Sequence, residues 1–335
     1  MEKLATIKDV AREAGVSVAT VSRVLNGTDR VRSETVEAVQ MAIEKLNYHP
    51  NFLGRTLRRL ETMKILVVLP TISNQFYSRV IRGIQNVAMQ QGYHVMLATT
   101  ESDPGAETEY IEMVRRRLLD GIIFLFSSLP ASQLSELAAE YPVVVASETI
   151  PGLTGVSSVT IDNRAAAKDA VRFLIENGNR KIAYLSAGSL YGSSYERQLG
   201  TMEALSEAGL TLEDEWLLDE GLTYKAGKRA ANRLLARDTL PDAVFCAADA
   251  AAIGLMHTLL EQDVLAGRDI SVMGFDNNSI AEYYNPALTT VAQPQLEIGS
   301  KAMNLLLKKI RENAPPEQLL LPHQLVIRDS VKLIK

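Results

Sequence analysis

From Lys64 onward, short apolar segments of strand length alternate with amphipathic segments of helical period. Eight of these apolar segments are predicted strands, at residues 65–69, 95–98, 122–126, 143–146, 159–161, 182–185, 244–247 and 272–275. Strands that are apolar at nearly every position are typical of parallel sheets with helices on both faces, connected by right-handed crossovers. The alternation therefore predicts a doubly wound α/β architecture for this part of the chain.

The α/β region is too long for one such unit. About 270 residues follow Lys64, and the strand–helix alternation resumes in the same form after Asn163. We therefore expect two similar lobes, each built on a parallel sheet. Ligands of parallel sheets bind at the carboxyl ends of the strands, so the predicted ligand site is a cleft between the lobes.

Composition excludes several classes of protein. The apolar runs are far shorter than a membrane span, and the first residues lack the basic and apolar regions of a secretory signal, so we expect a cytoplasmic protein with no membrane partner. The lone Cys246 cannot form an internal disulfide, and the four histidines lack metal-ligand spacing, so no metal or cofactor is predicted. Because the nucleophile-elbow, P-loop and dinucleotide-binding motifs are missing, we do not expect an enzyme.

Charge is distributed unevenly along the chain. Residues 1–64 carry 11 Lys and Arg against 8 Asp and Glu, whereas the remaining residues carry 24 against 32. A basic segment attached to an acidic body suggests that only the first segment has a polyanionic partner.

Residues 6–47 have helical period and no strand-like alternation. Thr6 is the predicted cap of a first helix, which Gly15 ends, and Ser17 is the predicted cap of a second. A third helix is expected after Ser33. Two short helices joined by a glycine turn are typical of a helix-turn-helix, whose second helix enters the DNA major groove. The alternative is a small three-helix bundle used only for packing or protein contacts.

The second helix carries side chains suited to reading DNA. Val18 and Ala19 are small enough to approach base edges, and the guanidinium of Arg23 can pair with guanine through two hydrogen bonds. Hydroxyl and amide groups nearby can bind phosphates and fix the register, and they belong to Ser17, Thr20, Ser22 and Asn26.

A basic linker follows, over residues 50–63. Pro50 ends the third helix, and Arg55, Arg58 and Arg59 lie within five positions. A helix this short is not stable alone in water, so we expect the linker to be disordered until DNA is bound.

The amino-acid sequences of these segments are more specific than the general helix-turn-helix motif. "TIKDVAREAGVSVATVSRVLNG" (6–27) and "LNYHPNFLGRTLRR" (46–59) closely resemble the lactose/galactose repressor (LacI/GalR) family of bacterial transcription regulators. The resemblance continues over essentially the whole chain, through "DGIIF", "VTIDN", "VFCAAD", "MGFDN" and "PALTTVAQPQLEIGSKAMNLLL". Within the family, the chain most resembles the cytidine-responsive branch.

The resemblance implies a division of the chain and a role for the linker. It implies an all-α helix-turn-helix headpiece at 1–49, a hinge helix at 50–63 and a type I periplasmic-binding-protein-like body at 64–335. Lobe 1 would then comprise about 64–161 and 293–320, and lobe 2 about 162–292 and 321–335. Leu57 matches the residue that wedges into the minor groove of a palindromic operator. Gly54 stands where many relatives have alanine, which weakens this helix. The candidate DNA contacts are Thr6, Lys8, Ser17, Val18, Ala19, Thr20, Ser22, Arg23, Asn26, Tyr48, Arg55, Leu57 and Arg58.

The resemblance also implies an effector site in the cleft. Phe76 and Tyr77 match an aromatic pair that can cover a ring, and Arg197 matches the arginine that holds the effector. The other candidates are strand-end carboxylates or positions that depart from relatives, namely Glu148, Asp162, Tyr191, Ser193, Asp249 and Asp276. An acidic, hydroxyl-rich lining favours a sugar or a nucleoside over a phosphorylated ligand.

These observations predict a sequence-specific DNA-binding regulator, a repressor by family resemblance, whose operator affinity depends on a small effector. We expect a homodimer, because no heptad repeat for tetramerisation follows residues 323–333. Two alternatives remain open. The effector could be replaced by a protein corepressor, as in the catabolite-control branch, or the lobes could belong to a solute-binding protein.

Overall fold

A computed structural model describes residues 5–25, 31–48, 61–101, 103–188 and 192–334. The chain divides into two compact units, Met1–Glu61 and Thr62–Lys335, which are described separately. The predictions for Asn26, Tyr191 and the linker residues Gly54, Arg55, Leu57 and Arg58 lie outside the described residues.

The N-terminal unit contains three helices: α1 (Ile7–Glu13), α2 (Val18–Leu25) and α3 (Ser33–Lys45). One apolar side chain from each helix is fully buried in the common core, Val10, Val21 and Val39. Burying such side chains stabilises a unit this small by about 1.5–3 kcal/mol each.

The residues predicted to begin and end the first two helices make the local contacts expected of them. The Asp9 carboxylate accepts hydrogen bonds from the backbone N–H of Thr6 (3.0 Å) and its hydroxyl (2.6 Å), so Asp9 and Thr6 together begin α1. Gly15 has a positive φ of 65°, which glycine adopts without strain, and ends α1. The Ser17 hydroxyl accepts from the backbone N–H of Thr20 at 3.1 Å, which confirms Ser17 as the cap of α2.

The larger unit is built on two six-stranded sheets. Sheet 1 has the strand order β11-β5-β4-β3-β1-β2, and all its strand pairs are parallel. Its strands are β1 (Lys64–Leu69), β2 (His94–Thr99), β3 (Gly121–Phe124), β4 (Val143–Ala146), β5 (Ser157–Ile161) and β11 (Gln318–Leu321). Its helices are α4 (Gln75–Gln90), α5 (Pro104–Arg115), α6 (Ala131–Glu140) and α12 (Gln295–Glu312).

Sheet 2 has the order β12-β10-β9-β8-β6-β7. Its strands are β6 (Ile182–Ser186), β7 (Leu217–Asp219), β8 (Ala243–Cys246), β9 (Ser271–Asp276), β10 (Thr289–Ala292) and β12 (Gln324–Val326). Its helices are α7 (Asn163–Glu176), α8 (Gly192–Glu207), α9 (Tyr224–Leu235), α10 (Asp249–Leu260) and α11 (Ser279–Tyr283). We call the two halves, each with its sheet and helices, lobe 1 and lobe 2.

All eight predicted strands are present, with ends that differ from the prediction by up to two residues. Strands β7, β10, β11 and β12 were not among them, because they are short and mostly lie at sheet edges, where apolar runs are weak. The two predicted parallel-sheet lobes are confirmed, and a single edge strand of sheet 2 departs from the parallel arrangement. There, β12 runs antiparallel to β10, since the chain enters lobe 2 from β11 and pairs with the outer edge of the sheet.

The chain crosses between the lobes three times, from β5 to α7, from β10 to α12 and from β11 to β12. Each lobe is therefore assembled from separate stretches of sequence, and the carboxyl ends of the central strands of both sheets meet the same cleft. None of the helices in the described ranges is long and apolar enough to cross a membrane.

Candidate functional site

The surface of α2 presents the side chains predicted to read DNA. Ser17, Val18, Ala19 and Arg23 are exposed, and Val18 keeps 37% of its surface in water although it is apolar. The hydroxyl-bearing Thr20 and Ser22 are half-buried beside them. One short helix thus offers small apolar groups, hydroxyls and a guanidinium on its accessible side, the mixture that suits a major groove.

Three further residues of the N-terminal unit that are predicted to contact DNA differ in their exposure to solvent. Thr6, at the start of α1, and Lys8, on that helix, are both exposed. Tyr48 is only 8% exposed and packs in the core of the unit. Its ring therefore has a packing role in this unit, which the sequence alone did not indicate.

Between lobes 1 and 2 lies a cleft that is partly open to solvent. The residues that line it follow the carboxyl ends of strands in both sheets, as expected for parallel sheets. They are Asn74, Phe76, Tyr77, Leu125, Ser147, Glu148, Ser193, Arg197, Leu222, Ala248, Asp276 and Gln293.

Lobe 1 contributes an aromatic wall at the start of α4. The Asn74 side chain accepts a hydrogen bond from the backbone N–H of Phe76 (3.0 Å), which caps α4 and fixes the position of the ring. Phe76 and Tyr77 pack edge to face with centroids 5.4 Å apart. This wall can cover the apolar face of a ring-shaped ligand.

Arg197 of α8 lies at the floor of the cleft and is 6% exposed. Its Nε donates to Asn163 Oδ1 (2.9 Å) and its Nη1 donates to the Ala247 carbonyl (2.6 Å). The guanidinium also stacks on the Phe275 ring, with Cζ 3.6 Å from the ring centroid. Its orientation is therefore set by the protein before any ligand arrives.

Glu148 joins the two lobes across the cleft. It follows β4 in lobe 1, and its carboxylate accepts from the backbone N–H (2.6 Å) and the hydroxyl (3.1 Å) of Ser193 in lobe 2. Burial raises the pKa of Glu148, and the hydrogen bonds from Ser193 and Thr149 and the charge of Arg197 oppose that rise only in part.

Asp276 supplies a second carboxylate, at the end of β9. Its Oδ1 accepts from Gln293 Nε2 (2.7 Å), and its backbone has a φ of 113°, outside the regions that non-glycine residues usually occupy. Burial raises the pKa of Asp276 to about 7, although Arg197 and Gln293 favour its charged form.

Asp249 and Asp162 do not lie in the lining of the cleft. Asp249 is fully buried behind it, where its carboxylate accepts from the Thr290 hydroxyl and the Asn278 backbone N–H, each at 2.6 Å. Burial and the nearby charge of Asp276 raise its pKa well above the usual range. Asp162 is exposed and caps α7 by accepting from Ala165 N at 2.9 Å. It has the geometry of a helix cap.

Sequence reasoning missed several lining residues, among them Asn74, Ser147 and Gln293. Asn74 could have been found as the cap preceding the Phe76–Tyr77 pair. Ser147 has a positive φ of 63°, for which a serine gives no signal in sequence. Gln293 reaches the cleft only because β10 ends beside Asp276, a placement that depends on the pairing of β9 with β10.

Two lobes that enclose a polar cleft, together with a separate unit carrying an exposed helix-turn-helix, define a ligand-sensing DNA-binding regulator. Residues 6–51 match the family model described as "Bacterial regulatory proteins, lacI family". Residues 62–329 match that of "Periplasmic binding proteins and sugar binding domain of LacI family". The chain belongs to the LacI family of transcriptional regulators.

Full-length relatives support this assignment. Catabolite control protein A of Priestia megaterium is 35% identical, over 98% of this chain and 99% of that protein. The transcriptional repressor CytR of Escherichia coli K12 is also 35% identical, over 99% and 98%. A crystal structure of the lac repressor dimer, bound to operator and the anti-inducer ONPF, has a TM-score of 0.85 at 26% identity, over 98% of this chain and 100% of that one. Because two different branches are equally similar, overall identity does not single out the cytidine-responsive one.

Proposed function

We propose that this chain is a homodimeric repressor of transcription whose affinity for a roughly palindromic operator is set by a small sugar or nucleoside in the interlobe cleft. The observation that carries the proposal is the hydrogen bonding of Glu148 to Ser193, since it places polar groups of both lobes around one cavity. A ligand held there contacts both lobes, so its binding energy depends on how the lobes are arranged.

The DNA-reading role is assigned to α2. In this proposal Val18, Ala19 and Arg23 contact base edges, while Ser17, Thr20 and Ser22 bind phosphates. The exposure of these side chains supports the assignment. The contacts of Thr6, Lys8 and Asn26, and those of Arg55, Leu57 and Arg58 in the linker, remain predictions.

We assign the headpiece to 1–49, the hinge to 50–63 and the effector-binding and dimerisation region to 64–335. The first compact unit ends at Glu61, two residues before the end of the proposed hinge. Thr62 and Met63 belong to the larger unit, where their backbone N–H groups donate to the Asp120 carboxylate at 2.7 Å and 2.8 Å. We propose further that the protein acts in the cytoplasm, where its DNA target lies, and that it is not an enzyme.

Effector and operator must be coupled through the arrangement of the lobes. If the effector changes operator affinity, then the operator changes effector affinity by the same factor, typically corresponding to about 1–3 kcal/mol. Whether the effector releases or recruits the repressor depends on which arrangement of the lobes it prefers.

The test is selection of bound sequences from random duplexes by the full chain, repeated with ribose, glucose, cytidine or adenosine present. The proposal expects an inverted repeat to be enriched and at least one of these compounds to change its retention. Equal, salt-sensitive binding to every duplex would contradict the DNA-binding part. Binding that responds to none of the compounds would favour a protein corepressor instead.

Calorimetry with the compound that acts in the selection then tests the cleft. Arg197→Ala is expected to abolish the heat of binding while the chain remains folded, because Arg197 lines the cleft and organises its floor. Arg268→Ala removes an exposed arginine of lobe 2 and is the matched control. Unchanged binding by the Arg197 variant would place the effector elsewhere.

A further inference from the structure

Asp120 holds the first residues of the larger unit in place. Its Oδ1 accepts from the backbone N–H (2.7 Å) and the hydroxyl (2.8 Å) of Thr62, and its Oδ2 accepts from the backbone N–H of Met63 (2.8 Å). The backbone N–H of Asp120 also donates to the Lys64 carbonyl (2.8 Å). One residue therefore binds three consecutive positions that are remote from it in sequence.

The backbone of these first residues adopts an unusual conformation. Met63 has a φ of 55°, which non-glycine residues rarely adopt and which persists only where neighbouring contacts hold it. Those contacts come from two strands, because the Met63 carbonyl accepts from the backbone N–H of His94 in β2 (2.8 Å) while its own N–H donates to Asp120, just before β3. The point at which the chain enters lobe 1 is thus fixed by hydrogen bonds.

Sheet 1 itself does not require the Asp120 carboxylate. The ladders of β1 begin at Lys64 beside β2 and at Ile65 beside β3. Thr62 and Met63 precede both ladders, and β1 is buried at five of its six positions without them. Loss of the carboxylate is therefore expected to release Thr62 and Met63 while β1 stays in place.

Lobe 2 contains a similar carboxylate, which serves as an internal comparison. Asp242 directly precedes β8, as Asp120 directly precedes β3. Its Oδ2 accepts from the backbone N–H groups of Arg180 and Lys181, each at 2.8 Å, just before β6. The chain before β6 comes from α7 of the same lobe, whereas the chain before β1 comes from the N-terminal unit. The contact in lobe 2 therefore secures a connection within one lobe, and the contact in lobe 1 secures the attachment of the N-terminal unit.

We propose that Asp120 is a positioning residue for operator recognition: it fixes the point at which the N-terminal unit is attached to lobe 1, and thereby limits the half-site spacings that the dimer accepts. The inference rests on the proposed function and adds a determinant of operator specificity to it. A chain spans at most about 3.5 Å per residue, so the release of Thr62 and Met63 gives each subunit about 7 Å of additional reach. This length is the axial rise of about two base pairs.

The test measures how operator binding depends on half-site spacing, because a dimer must present its two reading helices at a set distance along the DNA. The probes are the inverted repeat that the wild-type full chain selects from random duplexes and two derivatives, with two base pairs inserted or removed at its centre. We expect the wild type to bind both derivatives at least about tenfold more weakly than the selected duplex.

Asp120→Ala should change both the affinity and the spacing preference. We expect about tenfold weaker binding of the selected duplex, because two further residues per subunit must be ordered when DNA is bound. The preference over the two derivatives should fall to less than about threefold, because the additional reach tolerates other spacings. A variant that keeps the wild-type preference overturns the inference.

Asp242→Ala is the matched control. It removes the similar carboxylate from lobe 2 and should keep the wild-type spacing preference. A loss of stability alone lowers the affinity for all three duplexes alike, so the ratio of affinities separates positioning from general destabilisation. An equal relaxation of the spacing preference in Asp242→Ala also overturns the inference.

A second variant and a measurement on the wild type cover the case in which Asp120→Ala does not fold. Asp120→Asn keeps the size of the side chain but places an NH₂ group against one of its donors, and it should reduce the spacing preference to within about fivefold. In the wild type without DNA, amide hydrogen exchange of Thr62 and Met63 should be at least about tenfold slower than in the unfolded chain. An unchanged preference in Asp120→Asn, or exchange at the unfolded rate, contradicts the anchor.

The selection experiment separates this inference from the proposed function. If the wild-type chain selects no sequence, the proposed regulator fails and the inference fails with it. If the wild type selects an inverted repeat and Asp120→Ala keeps its spacing preference, only the inference about Asp120 fails.

Discussion

The Glu148 carboxylate in lobe 1 holds Ser193 of lobe 2 by two hydrogen bonds, one to its backbone N–H (2.6 Å) and one to its hydroxyl (3.1 Å). Both residues are buried, so these bonds are shielded from water. Hydrogen bonds to charged groups stabilise by about 1.5–3 kcal/mol each. This pair therefore favours the arrangement of the lobes seen in the structure.

Ser193→Ala should weaken closure of the cleft. The variant keeps the backbone hydrogen bond but leaves Glu148 Oε2 without the hydroxyl donor, which costs about 1–3 kcal/mol in the closed arrangement. Effector affinity measured by calorimetry should fall by about 5- to 150-fold, since 1.4 kcal/mol is a factor of ten. Ser206→Ala, at an exposed position of the same helix, should bind as the wild type does. Equal affinity of the two variants would show that the hydroxyl contributes nothing to closure.

Gly192→Ala should hold the cleft open. A Cβ built on Gly192 would overlap the Thr149 carbonyl oxygen across the lobe boundary, so the lobes must separate to admit it. Small-angle scattering should show a larger radius of gyration for the variant, and effector binding should weaken. Gly105→Ala is the matched control, because its Cβ would meet only the Asp103 side chain, at 3.2 Å. A Gly192 variant with unchanged size and affinity would contradict the close approach.

Stability should depend on pH through Asp276. Burial raises its pKa to about 7, so between about pH 4 and that value the folded chain binds the proton more tightly than the unfolded chain does. The stability that this group contributes is complete below the lower value and is lost as pH rises through the upper one, by at most about 1.4 kcal/mol per pH unit.

Asp276→Asn removes that contribution. Urea unfolding at about pH 5 and about pH 7 should show a smaller loss of stability than in the wild type. Some dependence should persist, because burial also raises the pKa of Asp249. Asp238→Asn, at an exposed position, should retain the wild-type slope. A variant whose slope matches the wild type would show that Asp276 does not hold a proton in this range.

Arg23→Ala should relax base discrimination. If Arg23 pairs with guanine, its loss costs about 1–3 kcal/mol on the selected operator and reduces discrimination at one base pair per half-site. Competition binding with operators substituted at each position measures both effects. Arg12→Ala removes an exposed arginine from α1 and should change binding nearly uniformly across sequences. Discrimination that survives in the Arg23 variant would exclude this residue as the reader.

The strands and the helix-turn-helix could be predicted because their signals are local. The apolar run of β4 is buried at all four positions, and the predicted cap at Ser17 depends on a residue three positions away. The roles of the strand-end carboxylates could not be predicted in the same way. Asp162, Asp249 and Asp276 all follow apolar strands, yet one caps a helix, one is buried behind the cleft and one lines it.

The hydrogen-bond partners that set the roles of Asp249 and Asp276 are remote in sequence. Asp249 is satisfied by Thr290, which is 41 residues away, and Asp276 by Gln293, which is 17 residues away and on a different element. Such partners are set by strand order, which hydrophobic period does not specify. The burial of Tyr48 likewise depends on how three helices pack, and its contact with DNA stays a prediction.

The order in which the chain threads the two sheets has a consequence during synthesis. Lobe 1 holds five strands from the first half of the chain, but its edge strand β11 and its helix α12 come from residues after 294, beyond nearly all of lobe 2. While the ribosome is still translating lobe 2, the nascent lobe 1 exposes the edge of β5 and the apolar surface that α12 later covers. Lobe 1 can therefore complete its sheet and its core only after residues 295–321 have been synthesised.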